Sequence, residues 1–127
     1  MKILLPPPAQ APLVLMKAKN TYKVWHEILI HVKRIDRYTI GIRIDDVFLV
    51  FLEHLFRTSF ASNKLEKLSF VSSSIANSDL LKFLLQIAWE HEILDNKHHG
   101  VLMLSLDEVG RMLGGWKRQI ENKTPAQ

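Results

Sequence analysis

The side chains best suited to metal chemistry gather in one short stretch: His91, Asp95, His98 and His99. Helical bundles often hold two metal ions on Glu-x-x-His pairs that project from facing helices. The chain has no Glu-x-x-His. Asp95-x-x-His98 comes nearest, and a plainer role fits it: an aspartate just ahead of a helix accepts a hydrogen bond from the backbone N–H three residues on. His91, His98 and His99 could gather at that connection, where a solvated loop is the simpler reading. His26 and His31 are five residues apart and share no helical face, whereas Glu27 and His31 make an i,i+4 surface pair. His54 reads as a partly buried, hydrogen-bonded interface residue rather than a base. Ser72-Ser73-Ser74 lacks the strand–turn–helix setting of a serine nucleophile. Gly110, Gly114 and Gly115 follow no strand, so they are not a phosphate loop. Cysteine is absent, which removes disulfides, thiolate ligands and a thiol nucleophile. The residues predict no enzyme, no catalytic group, no metal and no cofactor.

The chain is 127 residues long, enough for one domain with its own core. Its 47% hydrophobic content and mean hydropathy of +0.01 suit a soluble protein. The formal net charge is +4 and the pI about 9.5, a balance that favours anionic partners. The opening MKILLPPPAQAP holds too short an apolar run for a secretory core, and no later stretch is long and uncharged enough to span a membrane. The expected compartment is the cytoplasm, with no membrane partner and no small-molecule substrate.

Prolines occur at 6, 7, 8, 12 and 125, leaving the span between 12 and 125 open to long helices. The spacing divides the chain into a flexible proline-rich arm (1–12), a four-helix bundle (13–123) and a disordered tail (124–127). Pro12 could occupy the first helical position, where its missing N–H costs nothing. The first helix is expected over about 13–35, with Ala18, Thr21, Val24, Trp25, Ile28, Val32 and Ile35 inward. A connection over Asp36–Gly41 follows. The second helix, 42–60, carries Ile44, Phe48, Phe51, Leu52 and Leu55 on one face. Val47, Leu49, Val50 and Phe56 make it apolar nearly all round, which suggests a subunit interface. The third helix is expected over 64–94, continuous through Asn77, with a break there as the alternative. Asp95 caps the fourth, 96–122, which turns Leu102, Ser105, Val109, Met112, Leu113, Trp116 and Ile120 inward. Short connections make this an all-α, up-down-up-down antiparallel four-helix bundle. A brief alternation over Ile40–Asp46 leaves a small strand as a minor alternative.

That topology places both chain ends and the second turn at one end of the bundle. Lys17, Lys19, Lys23, Arg57, Lys64, Lys67, Lys117, Arg118 and Lys123 are assigned there, against Glu66 and Glu121 alone. The opposite end is mixed in sign. A basic end of this kind would bind a polyanion in a salt-dependent way. The plainer alternative is that lysines solvate helix ends, with Lys117, Arg118 and Lys123 complementing a helix dipole.

One string stands out: Glu108-Val109-Gly110-Arg111-Met112-Leu113-Gly114-Gly115-Trp116. Three glycines in a helix cost about 1 kcal/mol each relative to alanine. Gly110 and Gly114, one turn apart, are expected to admit a closely packed helix, with Trp116 anchoring the core and Arg111 within reach of Asp107. The string resembles the last-helix pattern of the four-helix-bundle family that includes the accessory variability determinant (Avd) of diversity-generating retroelements and the proteins encoded in 23S rRNA intervening sequences. The resemblance runs from about Thr21 to Trp116 and includes Ser62-Asn63 ahead of the third helix. Many members place a proline after the first helix, where this chain has Asp36.

The resemblance implies a basic homopentamer of four-helix protomers without catalytic activity. In the retroelement branch the partners are the reverse transcriptase and template RNA, or DNA or an RNA/cDNA hybrid, and the assembly supports mutagenic cDNA synthesis and retrohoming. Five copies at +4 each would carry roughly +20. The alternatives are a structural oligomer of the intervening-sequence type with an RNA or acidic protein partner, and a metal-dependent bundle enzyme.

Overall fold

The computed structural model describes residues 12–123. Of the arm expected over residues 1–12, residues 1–11 lie outside the described residues, as does the tail over 124–127; Pro12 opens the first helix. Helix α1 runs Pro12–Leu29, α2 is a single turn at Arg34–Asp36, α3 spans Ile42–Phe60, α4 Lys64–Glu90 and α5 Asn96–Asn122. The four long helices close a square, α3 against α4, α4 against α5, α5 against α1 and α1 against α3. Their order makes the antiparallel four-helix bundle. Among the described residues there is no strand, and Ile40–Asp46 is helical.

Each helix buries one stripe at three- and four-residue steps. In α1 the stripe is Val14, Ala18, Thr21, Trp25 and Ile28; in α5 it is Leu102, Leu106, Val109, Leu113, Trp116 and Ile120. Leu106 takes the inward place expected of Ser105, whose hydroxyl instead meets Thr21 across the α1–α5 seam. Trp25 stacks on Phe48 at 6.2 Å between centroids, and Tyr22 meets the same ring edge-on at 5.7 Å. Trp25 and Phe48, both fully buried, contribute about 1.5–3 kcal/mol each. Asp45 accepts a hydrogen bond from the Trp25 indole N–H at 3.1 Å. Burial and then Asp45 push the Tyr22 phenol up to about 12, so it stays protonated.

The middle of α4 is continuous through Asn77. Its serines weaken a helix considered alone, yet Ser74 and Ser78 are core residues that present small side chains inward. The Ser74 hydroxyl donates to Phe70 O, and Asn77 Oδ1 lies 2.6 Å from His54 Nδ1 on α3. Its polar middle is thus spent on helix-to-helix contact. Asn63 caps the start of α4 by accepting from Glu66 N–H at 2.8 Å, and Asp95 caps α5 by accepting from His98 N–H at 2.8 Å.

Two boundaries depart from the sequence-based expectation. The first helix stops at Leu29, not near residue 35, because Lys33 is extended (φ −55°, ψ 145°). Val32 still turns inward, but Ile35 is 69% exposed. The expected connection at Asp36–Gly41 is itself helical: α2 leads through a π-helical turn, Arg37–Gly41, straight into α3. That wide turn needs Gly41, where a Cβ would sit 3.1 Å from the Asp36 carbonyl oxygen and 3.1 Å from Leu29 Cδ1. Gly41→Ala gains about 1 kcal/mol of helix propensity but overpacks a backbone atom at about 1–3 kcal/mol. The expected net result is a loss of about 1 kcal/mol in urea denaturation; a gain would show that the turn has room.

The second departure is the end of α4, at Glu90 rather than residue 94. Glu92 adopts φ 61°, while Glu92 N–H donates to Trp89 O at 3.0 Å and Ile93 N–H to Ala88 O at 2.8 Å. This is a Schellman ending with glutamate in the position that glycine prefers. Glu92→Gly removes that strain and is expected to raise stability by about 1 kcal/mol in the same assay; a loss would count against the left-handed turn.

Candidate nucleic-acid interface

The nine cations assigned to the basic end fall into two groups. Lys64 Nζ donates to Glu121 O at 2.9 Å and to Lys123 O at 3.2 Å, which places the start of α4 beside the end of α5. Lys67 Nζ donates to Thr58 O at 3.3 Å, beside the end of α3. Arg57, Lys64, Lys67, Lys117, Arg118 and Lys123 therefore do share one end.

Lys17, Lys19 and Lys23 do not. Lys17 pairs with Glu108 at 2.6 Å, and Thr21 meets Ser105. These contacts fix the register of α1 on α5. Lys17 stands near mid-height, and Lys19 and Lys23 lie nearer the far end. A first helix running to residue 35 would have reached the whole height of the bundle; the shorter α1 carries its lysines toward the opposite end. The acid count at the basic end was also too low, since Glu53 pairs with Arg57 at 3.1 Å.

The six cations differ in what they do. Lys64 and Lys67 satisfy carbonyls at the ends of α5 and α3, the groups a helix leaves unpaired. Arg57 lies against Glu53 and over the Phe70 ring at 5.9 Å. Burial, and then the charge of Lys123, pull the Lys67 ammonium below its usual range, so the end is already crowded with positive charge. Lys117, Arg118 and Lys123 have no ion-pair partner among the described residues. Gly115, Arg118, Gln119, Asn122 and Lys123 line an open hollow on α5.

Gly114 and Gly115 prove to lie on this surface rather than in the internal packing. A Cβ at Gly114 would be 3.7 Å from an Arg118 guanidinium nitrogen, and one at Gly115 would be 4.0 Å from the other. At Gly110 the nearest atom is Lys82 Nζ, at 3.9 Å. No helix of the protomer approaches closely at these positions, contrary to the expectation from their one-turn spacing. Gly114 and Gly115 instead leave a low bed along which the Arg118 side chain folds back. Trp116 is buried as expected. Arg111 does not pair with Asp107, which turns to Lys82 on α4 at 3.1 Å.

The histidine-rich connection is held by local contacts. His98 Nδ1 is 3.0 Å from Asp95 Oδ1, and His99 stacks on Trp89 at 4.9 Å. Among the described residues no three His, Cys, Asp or Glu side chains converge on a metal position, and no helix is long and apolar enough to cross a membrane.

No family model, no curated protein and no solved structure matches this chain.

Proposed function

We propose that this protein is a non-enzymatic accessory factor that binds single-stranded nucleic acid through its basic end, in the manner of the accessory variability determinant of diversity-generating retroelements. Its partners in this reading are a reverse transcriptase and the template RNA whose mutagenic copying it supports. The observation that carries the reading is the cluster of Lys117, Arg118 and Lys123 without carboxylate partners among the described residues, beside Lys64 and Lys67 whose charges crown the ends of α5 and α3. Cations at such an end neutralise phosphates and so displace the counterions condensed on a nucleic acid. Retardation of a short RNA in a gel, weakening steeply with salt, tests the reading; no retardation at low salt overturns it.

Self-assembly into a pentameric ring belongs to the same proposal. On the outer face of α3, Ile42, Leu49 and Phe56 recur every seven residues, and all three are exposed. A seven-residue apolar repeat suits a second helix laid alongside with a left-handed twist. Asp46 and Glu53 interleave with the stripe. The outer face of α1 offers the complement, Leu13 and Met16 exposed beside Lys19 and Lys23. A heterologous contact between α3 of one copy and α1 of the next generates a ring when its rotation closes. Lys19 and Lys23, which the register removes from the basic end, thus receive a role in assembly.

A further inference from the structure

The face between α4 and α5 holds a notch, of about 360 Å³, that the basic end does not include. Ile75, half-buried, is its apolar surface, with Leu113 fully buried beside it, and at Gly110 an added Cβ would meet Lys82 Nζ at 3.9 Å. Ser78 stands in its wall, 2% exposed. Among the described residues the Ser78 hydroxyl has no hydrogen-bond partner, unlike Ser59 and Ser74, whose hydroxyls both bond to the carbonyl four residues back. A buried hydroxyl left unpaired costs about 1–3 kcal/mol. At the rim, Asp79 and Arg111 are exposed and form no ion pair among the described residues, while Lys82 and Asp107 hold each other at 3.1 Å.

We infer that this notch binds one guanine base of a single-stranded nucleic acid, its Watson–Crick edge on Asp79, its O6 and N7 on Arg111 and its ring against Ile75. The choice of base follows from donor and acceptor order. Guanine alone presents two adjacent donors, N1–H and N2–H₂, which a carboxylate accepts together. Beside them lie two acceptors, O6 and N7, the pair that an arginine fork matches. Adenine, cytosine and uracil each set an acceptor against Asp79 when a donor faces it. Single-stranded bases are splayed and read on these edges, which duplex pairing would hide. The location adds to the argument: Arg111 and Arg118 lie two turns apart on α5, roughly 10 Å along the axis, with Gly114 and Gly115 between them. A strand whose phosphates meet Arg118 can thus place a base at Gly110.

This inference rests on the nucleic-acid reading above, and the two are separable by experiment. Guanosine, adenosine, cytidine and uridine are titrated separately into the full chain while the amide resonances of its five glycines are followed. Guanosine is expected to shift Gly110 and to bind about tenfold tighter than the other three; Asp79→Asn, an exposed change, should bring it to their level. A Gly110 resonance indifferent to all four, or equally responsive to all four, overturns the pocket. In parallel, a ten-nucleotide uridine tract is compared with the same tract carrying one central guanosine. Retention of both tracts with equal affinity removes the pocket and leaves the basic-end reading standing. Retention of neither, with guanosine still moving Gly110, removes the basic-end reading and leaves the pocket.

Discussion

Changing Lys117, Arg118 and Lys123 together to glutamate is expected to lower the affinity for a short single-stranded RNA by about 100-fold at low salt. The number follows from counterion release. Each neutralised phosphate of a single strand contributes about 0.7 to the slope of log affinity against log salt. Three contacts make a slope of about 2, so the unaltered protein should lose roughly twentyfold between about 50 and 200 mM salt. The variant should bind weakly and nearly flat across that range. The choice of residues comes from the geometry. Lys64 and Lys67 would be the obvious cations to reverse, but both hold helix-end carbonyls, so their loss would confuse binding with folding. Arg118 and Lys123 are exposed and Lys117 is half-buried, and none pairs with a carboxylate among the described residues. Three glutamates at the end of α5 oppose its dipole by about 0.3–1 kcal/mol each. The glutamine triple variant controls for this: it should keep the melting temperature and still lose the salt slope. An unaltered slope in the glutamine variant would remove these three residues from the interface.

Much of the bundle was legible before its coordinates. The bounds of α3 and α5 follow directly from the periodicity and from Asp95, because an N-cap is a local chemical fact: a carboxylate beside an unpaired N–H. What was illegible depended on contacts between distant residues. The spacing Ile28, Val32, Ile35 is good helical spacing, yet Lys33 turns the chain and Ile35 ends on the surface. Apolar spacing does not reveal whether a helix continues or whether the next one starts with the same period. Glutamate at Glu92 gave no stop signal either, since the left-handed ending of α4 usually announces itself with glycine.

The candidate site was legible to a lesser degree, for a related reason. Charge at the basic end could be placed because α3 and α5 have the expected bounds and α4 the expected start. Lys19 and Lys23 could not, because their height depends on the register of α1, which contacts between distant residues such as Lys17–Glu108 and Thr21–Ser105 define. The glycine string was recognised, but its cost invited an explanation inside the protomer. The structure shows open space there, with only the ends of the Arg118 and Lys82 side chains nearby. Ser78 gave no signal at all, since an unpaired hydroxyl is visible only when every neighbour is in place.

The largest effect on assembly is expected from charges rather than from the apolar stripe. Leu49→Glu would break any contact on the outer face of α3, but it would not say which surface the partner supplies. Reversal of Asp46 and Glu53 to lysine does, because it sets four positive charges face to face if Lys19 and Lys23 lie opposite. Like charges in direct apposition cost several kcal/mol at an interface, so the double variant should run as a 14.7 kDa monomer by light scattering where the unaltered protein runs about five times heavier. Both acids have neighbours on their own helix, Arg43 at 3.9 Å from Asp46 and Arg57 at 3.1 Å from Glu53. Such exposed pairs are worth about 0–1 kcal/mol, too little to decide the outcome. Lys19→Glu with Lys23→Glu should likewise give monomers. Combining all four changes restores opposite charges in the exchanged sense and should restore the ring. Recovery in the fourfold variant requires that the two faces meet. Assembly that survives both double variants would place the interface elsewhere, and a monomeric unaltered protein would remove the ring altogether.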